Sequence, residues 1–588
     1  MSSRLLYSGV LTALLFTAGS AIAQAPALPN GYAPWELDLL DSYIPYKTTS
    51  GITSPPELPV RASAEWEEID ALLVTWTGYT NTIREIVRYA QEECEVYILC
   101  ADTNTVKTSL ESASIPLDNI TLVEGGFNSV WARDYGQWNV YANDVDSLYL
   151  IDWIYNRPRP LDDAVPELMS QLTGLPIYTT TEVPYDLVHT GGNFMTDGWG
   201  TGFSSRLVLD ENDGNDYSLE PKTEGEIDYI MDAFMGISTY IKMETLPYDQ
   251  IHHIDMHMKL LDEETILVGE YPEGEADGPQ IEANIEYIQD NYTSVFGTPY
   301  KFERILMPPD EAGNFPDDGS WWNPGDYRTY TNFVFINKTV IVPAYEEQYD
   351  TTAYRILSDL LPGYLIVMID CNEIIQALGA IHCVTKEVAT NEPLLITHQP
   401  LQDTEELFAD YEVDAWILHR DGIAEAEIFY TTDTAAGFWN TSPMTLADVA
   451  SNTWTGFIPA QEDGAEVFYY IYAQATTGKE QVRPITAPDG FWHFRVGGAI
   501  SNLEESHDDL IAVWPNPVDD HVSIDLRDLR SADKWQLSLT EPSGKEVYAA
   551  TAFGGQVIHL PLALLPSGTY WISLRSGDAC MARQIVKR

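Results

Sequence analysis

The sequence predicts an α/β domain followed by two all-β units. Three observations carry this. Strand-like apolar runs alternate with helical spacing up to about residue 390. From about 392 the pattern changes to short β-type runs divided by Gly, Asp and Thr turns. A polar, acidic stretch at 498–508 then separates a last, small β segment.

Residues 1–23 read as a secretory signal peptide. Arg4 supplies the positive end, Leu5 to Ala18 the apolar stretch and Ala21-Ile22-Ala23 the cleavage site. The stretch is too short for a membrane anchor, so an exported, soluble mature chain is expected. Residues 24–60 are rich in Pro, Gly and Tyr without periodicity, as in a pro-segment or an extended N-terminal arm. Residues 61–391 form the α/β domain. Ala71 to Trp76 reads as a strand, Ile83, Ile86, Val87 and Ala90 follow helical spacing, and Glu95 to Ala101 reads as the next strand. Thr265 to Tyr271 resembles Thr339 to Tyr345, which hints at a ring of similar units. Residues 392–497 carry the runs 394–397, 427–430 and 467–472, the pattern of an immunoglobulin-type β-sandwich without its Cys…Trp…Cys signature. Residues 509–588 open with Trp514-Pro515-Asn516-Pro517 and contain the strand-like run 567–574.

Composition narrows the function. The net charge is −59, from 90 acidic and 31 basic residues, which argues against nucleic acid as a partner, because that needs a basic face. The acidity marks no site and reads as a solvated surface suited to a salty medium rather than as steering of cationic substrates. Five cysteines are too few for a disulfide scaffold, and their odd number leaves at least one thiol free in a monomer. No cluster of Cys and His has zinc-ligand spacing.

One of those cysteines, Cys383, falls on the short turn Gly379-Ala380-Ile381-His382-Cys383, downstream of the strand-like run 364–370. A thiol so placed can be a nucleophile if its surroundings favour the thiolate. Asp134 and Asp255 suit a guanidinium, whose five N–H donors pair with carboxylates. Taken singly, each has a simpler reading: Asp134 paired with neighbouring Arg133, and Asp255 capping a turn. His253, two residues before Asp255, would share its face on a strand, with His252 opposite. Arg157 and Arg159 follow the same alternation around Pro158 and could clamp a carboxylate, or form a solvated basic patch. Gly191-Gly192-Asn193 reads as turn chemistry.

Together these segments resemble the guanidino-group-modifying enzymes of the pentein fold, and most of all the Porphyromonas-type bacterial peptidylarginine deiminases, relatives of the agmatine deiminases. The motifs at 131–136 (Trp-Ala-Arg-Asp-Tyr-Gly), 252–255 (His-His-Ile-Asp), 330–332 (Tyr-Thr-Asn) and 379–383 stand in the family's order. The resemblance implies a pentein-type α/β propeller from about 60 to 390. It also implies Cys383 as nucleophile, His253 as proton carrier, Asp134 and Asp255 as guanidinium ligands, and Asn332 completing the catalytic set. Trp131 falls in the substrate-binding set. A covalent thiouronium would be hydrolysed to a ureido product, with no cofactor required and with room for a structural calcium. Arg157 and Arg159 match the pair that holds the α-carboxylate of a C-terminal arginine, and Thr190 stands where agmatine deiminases tend to have Glu. Arginine-containing peptides or proteins are thus the expected partners, with agmatine or free arginine as alternatives. The final segment resembles the C-terminal sorting domain of type IX secretion cargo, which implies a secreted or surface-attached protein. Two readings from other classes are a papain-like cysteine protease, also built on Cys, His and Asp/Asn, and a non-enzymatic surface adhesin.

Overall fold

The computed structural model describes residues 27–46, residues 50–497 apart from 216, 218 and 318–324, and the strands of the segment 512–588. The signal-peptide and linker readings, and Pro515 to Pro517, lie outside the described residues. The chain divides into two compact units. One holds residues up to 402 with 406–461 and 465–495; the other holds 496–588 with the short pieces 403–405 and 462–464.

Residues 60–389 repeat one pattern five times: a two-stranded antiparallel pair, a helix, and a third strand parallel to the second. In chain order after the first helix, the hairpins are Trp138–Ala142 with Leu148–Tyr155, Met195–Thr196 with Thr201–Ser205, Met258–Leu260 with Thr265–Glu270, and Val334–Ile336 with Thr339–Ala344. Their parallel partners are Ile177–Thr180, Thr239–Met243, Lys301–Leu306 and Leu365–Asp370. The fifth copy joins the two ends of the region. Thr385–Ala389 pairs antiparallel with Ile69–Thr75, which pairs parallel with Glu95–Cys100. The sheets remain separate, and no single sheet closes on itself among the described strands. The sequence repeat at 265–271 and 339–345 marks the central strands of two of these copies.

Local chemistry accounts for the elements. The helix Thr80–Ala90 buries Thr82, Ile83, Ile86, Val87 and Ala90, the stripe set by 3.6 residues per turn. The helix Glu224–Met235 starts with a reciprocal Thr223–Glu226 capping box and ends at Gly236, with φ 71°. Central strands such as Leu72-Leu73-Val74 are apolar on both faces because a layer covers each side.

Residues 395–495 are β-structure, with a sheet ordered Leu395–Thr397, Tyr411–Leu418, Thr453–Ile458, Thr445–Asp448. A second sheet orders Asn440–Pro443, Ile423–Thr431, Glu466–Ala475, Glu480–Arg483, with Trp492–Arg495 also on Glu466–Ala475. Tyr411–Leu418 alternates buried and exposed residues along its first half, as a strand with one packed face should. Trp199 meets Trp416 edge to face at 4.9 Å, and Arg483 pairs with Glu263 at 3.1 Å, so this β-structure packs on the α/β region. In the second unit, Val522, Ile524, Leu537, Leu539, Ile572, Leu574 and Ile585 form a separate apolar core. No helix among the described residues is long and apolar enough to cross a membrane.

Candidate active site

The repeated pattern explains how residues distant in sequence meet. Each copy supplies groups from the segment entering the first strand of its hairpin. Trp131 and the short helix Ala132–Tyr135 precede Trp138–Ala142, and the turn Gly191–Asn193 precedes Met195–Thr196. His253 and the turn Ile254–Met256 precede Met258–Leu260, Asn332 precedes Val334–Ile336, and the turn His382–Val384 precedes Thr385–Ala389.

Cys383 is fully buried. Its Sγ lies 3.3 Å from Asn332 Nδ2 and 3.7 Å from Asp255 Oδ2. Asp134 and His253 face each other, with 3.5 Å between Oδ1 and Nδ1. The sequence-predicted Cys383, His253, Asp134, Asp255 and Asn332 are thus linked in two contacting sets, Cys383–Asn332–Asp255 and Asp134–His253.

Three local expectations change. Residues 252–256 form no strand: His252 takes φ 57° and Ile254–Met256 is a tight turn, so His253 and Asp255 reach the site by chain reversal rather than by strand alternation. Arg157 and Arg159 likewise follow the strand Leu148–Tyr155 in a tight bend, with the Arg159 amide donating to the Arg157 carbonyl at 2.7 Å. Both arginines are buried rather than solvated. Arg133 does not pair with Asp134: its guanidinium bonds Glu387 at 2.7 Å and Glu65 at 3.4 Å.

His382, Glu65 and Gly192 join the site without having been given a role from sequence. The His382 ring bridges two carboxylates, Nδ1 to Asp255 at 2.7 Å and Nε2 to Glu65 at 2.9 Å. Glu65 is also held by Lys259 and Arg133. The Gly192 amide donates to Asp134 Oδ1 at 3.2 Å, and a Cβ there would stand 2.5 Å from His253 Nδ1. Only a glycine fits between the His253 imidazole and the Asp134 carboxyl. Gly379 is similar, since its Cβ would lie 2.4 Å from the Trp131 ring. The adjacency of His382 to the cysteine was the one readable signal; Glu65 is 317 positions from His382 and gave none.

Electrostatics set the resting state. Burial, with Asp255 adding to it, pushes the Asp134 carboxyl up to about 7, although Arg157 opposes the rise. Burial acts against ionising Asp255 too, but the hydrogen bond and charge of His382 outweigh it and hold Asp255 below its ordinary range. Burial drives His253 down to about 3, and burial together with Asp255 and Asp134 pushes the Cys383 thiol well above its usual range. The site therefore rests with a neutral imidazole, a neutral thiol and one carboxylate held ionised. Asp255 Oδ1 and His253 Nε2 are buried without a hydrogen-bond partner, and the Thr190 side chain bonds the Asp134 carboxyl. Among the described residues no group of three or more His, Cys, Asp or Glu is arranged to hold a metal ion.

Comparison with known proteins places the chain in a family. A family model for the Porphyromonas-type peptidyl-arginine deiminases matches residues 61–388. A Mycoplasma capricolum protein named "putative agmatine deiminase" is 23% identical over 358 residues, covering 56% of this chain and 95% of its own. A Porphyromonas gingivalis structure described as a "putative arginine deiminase" is 21% identical, covers 56% of this chain and 99% of its own, and superposes with a TM-score of 0.49. An X-ray structure described as a "putative agmatine deiminase" is 18% identical, covers 58% of this chain and 98% of its own, and reaches 0.50, a likeness of mixed α/β fold. Residues 512–588 match a secretion system C-terminal sorting domain, which directs the protein through the type IX machinery to secretion and the cell surface. With over half its length inside the deiminase model, the chain belongs to the Porphyromonas-type peptidyl-arginine deiminase family, whose members are hydrolases acting on guanidino C–N bonds.

Proposed function

We propose that the protein hydrolyses the guanidinium of arginine at a peptide C-terminus to citrulline and ammonia. The observation that carries this is the pair of buried carboxyls, Asp134 and Asp255, gathered with His253 and Cys383. A planar cation with paired N–H donors satisfies both. Its positive charge also lowers the cost of ionising Asp134 and the neighbouring thiol, so the reactive state forms when substrate arrives.

In this reading the Cys383 thiol passes its proton to the neutral His253 imidazole and the thiolate attacks the guanidinium carbon. The bond from that carbon to a terminal nitrogen breaks, with His253 delivering the proton that lets ammonia leave. The remaining Cys383 thiouronium is attacked by water activated by His253, and collapse returns the thiol and a ureido product. Asn332, in contact with Sγ, orients the nucleophile. The chain's own residues supply every group, and no cofactor is invoked. The five repeated units support a pentein-type propeller as the frame. The two antiparallel sheets of 395–495 support an immunoglobulin-like sandwich within residues 392–497.

Substrate class rests on Arg157 and Arg159, the matched carboxylate clamp. Agmatine, which has no carboxylate, is a second reading, favoured by the hydrogen bonds that already occupy both arginines, and free arginine is a third. The test is ammonia and ureido release from a peptide ending in arginine, an internal-arginine peptide, agmatine and free arginine, with Cys383→Ala as blank. Turnover of the C-terminal peptide supports the proposal. Preference for agmatine keeps the chemistry and removes the clamp, and silence on every substrate overturns the deiminase assignment for this chain.

A further inference from the structure

The arginine pair is engaged by the N-terminal arm. Arg159 donates to both oxygens of the Glu36 carboxylate, at 2.8 and 2.9 Å. It donates as well to the main-chain carbonyls of Pro29 and Gly31, each at 2.9 Å. Arg157 donates to the Asn30 carbonyl at 3.0 Å, and the Tyr32 ring covers its guanidinium at 4.3 Å. The Trp131 indole donates to the Leu28 carbonyl at 2.9 Å, and the Asn30 amide to the Ala377 carbonyl near the cysteine turn at 2.9 Å. The main-chain groups and the Glu36 carboxylate among these contacts are ones that a peptide ending in a carboxylate also carries.

Two features set the arm apart from a permanent wall. Asn30 is 1% exposed, yet neither side-chain polar atom has a hydrogen-bond partner, an expense that a finished protein interior avoids. The arm also turns Trp35, Leu37, Leu39 and Ile44 to solvent, at 58, 56, 44 and 80% exposure. Leu40 is the large aliphatic side chain of the arm that is buried, clustered with Ile154, Val188 and Tyr217, while these four stay outside.

We infer that residues 28–36 are a built-in competitor for the substrate peptide: the arm occupies the arginine pair, closes the route to Cys383, and is displaced or removed when the enzyme acts. The inference rests on the substrate reading above and extends it to regulation. It assigns the surface formed by Trp131, Arg157, Arg159 and Ala377 to peptide main chain plus a carboxylate. It also removes the tension between a carboxylate clamp and arginines that are already bonded, because the carboxylate of Glu36 stands where that of the substrate would. A tethered occupant sits at millimolar effective concentration, and the apparent KM rises by the reciprocal of the fraction of molecules left open.

The test compares the full chain with its Glu36→Ala and Tyr32→Ala variants. One removes the carboxylate on Arg159, the other the ring over Arg157. Two readouts are taken: KM for a peptide ending in arginine, and the rate of Cys383 alkylation by iodoacetamide followed by mass spectrometry, which needs no turnover. The expected result is a KM lowered about tenfold or more in both variants and a matching acceleration of alkylation. An unchanged or raised KM with unchanged alkylation would overturn the inference and make the arm part of the permanent site. Faster alkylation without turnover of any guanidino substrate would sustain the closure while removing the deiminase reading.

Discussion

Replacing Asp134 by Asn should make the protein more stable and nearly inactive. The folded protein holds the Asp134 proton up to about 7, whereas an unfolded chain releases it near the ordinary carboxylate value of about 3.9. Between those limits the folded state binds more protons than the unfolded one. The favourable contribution is therefore complete in acid, declines as pH rises through the window, and is gone above about 7. Three units of displacement correspond to about 4 kcal/mol at pH 8, an upper bound for a carboxylate forced to ionise in a dry site. Asn has no charge to bury, and its amide oxygen can keep the Gly192 N–H, which lies 3.2 Å from Oδ1. Urea unfolding at pH 5 and pH 8 measures the difference. The variant should exceed the parent by at most about 1.5 kcal/mol at pH 5 and by about 2–4 kcal/mol at pH 8. Its kcat/KM should fall at least about a thousandfold, because one guanidinium ligand and its charge are lost. A variant less stable than the parent at pH 8, or a difference independent of pH, would refute the account of Asp134 as a carboxyl kept protonated by burial.

Three further outcomes follow from the geometry. Cys383→Ala should abolish turnover yet still bind a C-terminal arginine peptide, since both aspartates remain; isothermal titration with ammonia release checks both halves. His382→Asn can keep the link to Asp255 but loses the one to Glu65, and a charge-assisted buried bond is worth about 2–3 kcal/mol. Its kcat/KM should fall about 30- to 150-fold, most of it in KM if the ring positions Asp255, as steady-state kinetics will separate. Gly192→Ala puts a methyl 2.5 Å from His253 and 2.8 Å from Asp134, and should cost at least about a hundredfold in kcat with near-parental circular dichroism.

Much of this arrangement was legible in the sequence, and what was hidden has identifiable causes. Strands and helices declared themselves through apolar period, as in Ala71 to Trp76 and the stripe of Thr80–Ala90. The repeat was visible only at 265–271 and 339–345, because the other central strands share shape and not residues. Spacing misled where the backbone turns: His253 and Asp255 sit two apart on a reversal begun by His252 at φ 57°, a conformation that alternation arguments do not contain. Gly192 looked like turn chemistry because its purpose is absence, the lack of a Cβ between two side chains from other copies of the unit. Glu65 was invisible because its partners, His382, Lys259 and Arg133, come from distant parts of the chain. The clamp pair was readable as two basic residues, but its occupant was not, since the arm has no periodicity to announce its path.

The pairing of Thr385–Ala389 with Ile69–Thr75 joins residues more than 300 positions apart, immediately after the turn that carries Cys383. Such high contact order makes this pairing a late event in folding. The thiol takes its place beside Asp255 and Asn332 only when that pairing is made. Until the two ends meet, the Cys383 thiol and the buried carboxyls belong to an unfinished chain, so the site exists only once the α/β region has closed on itself.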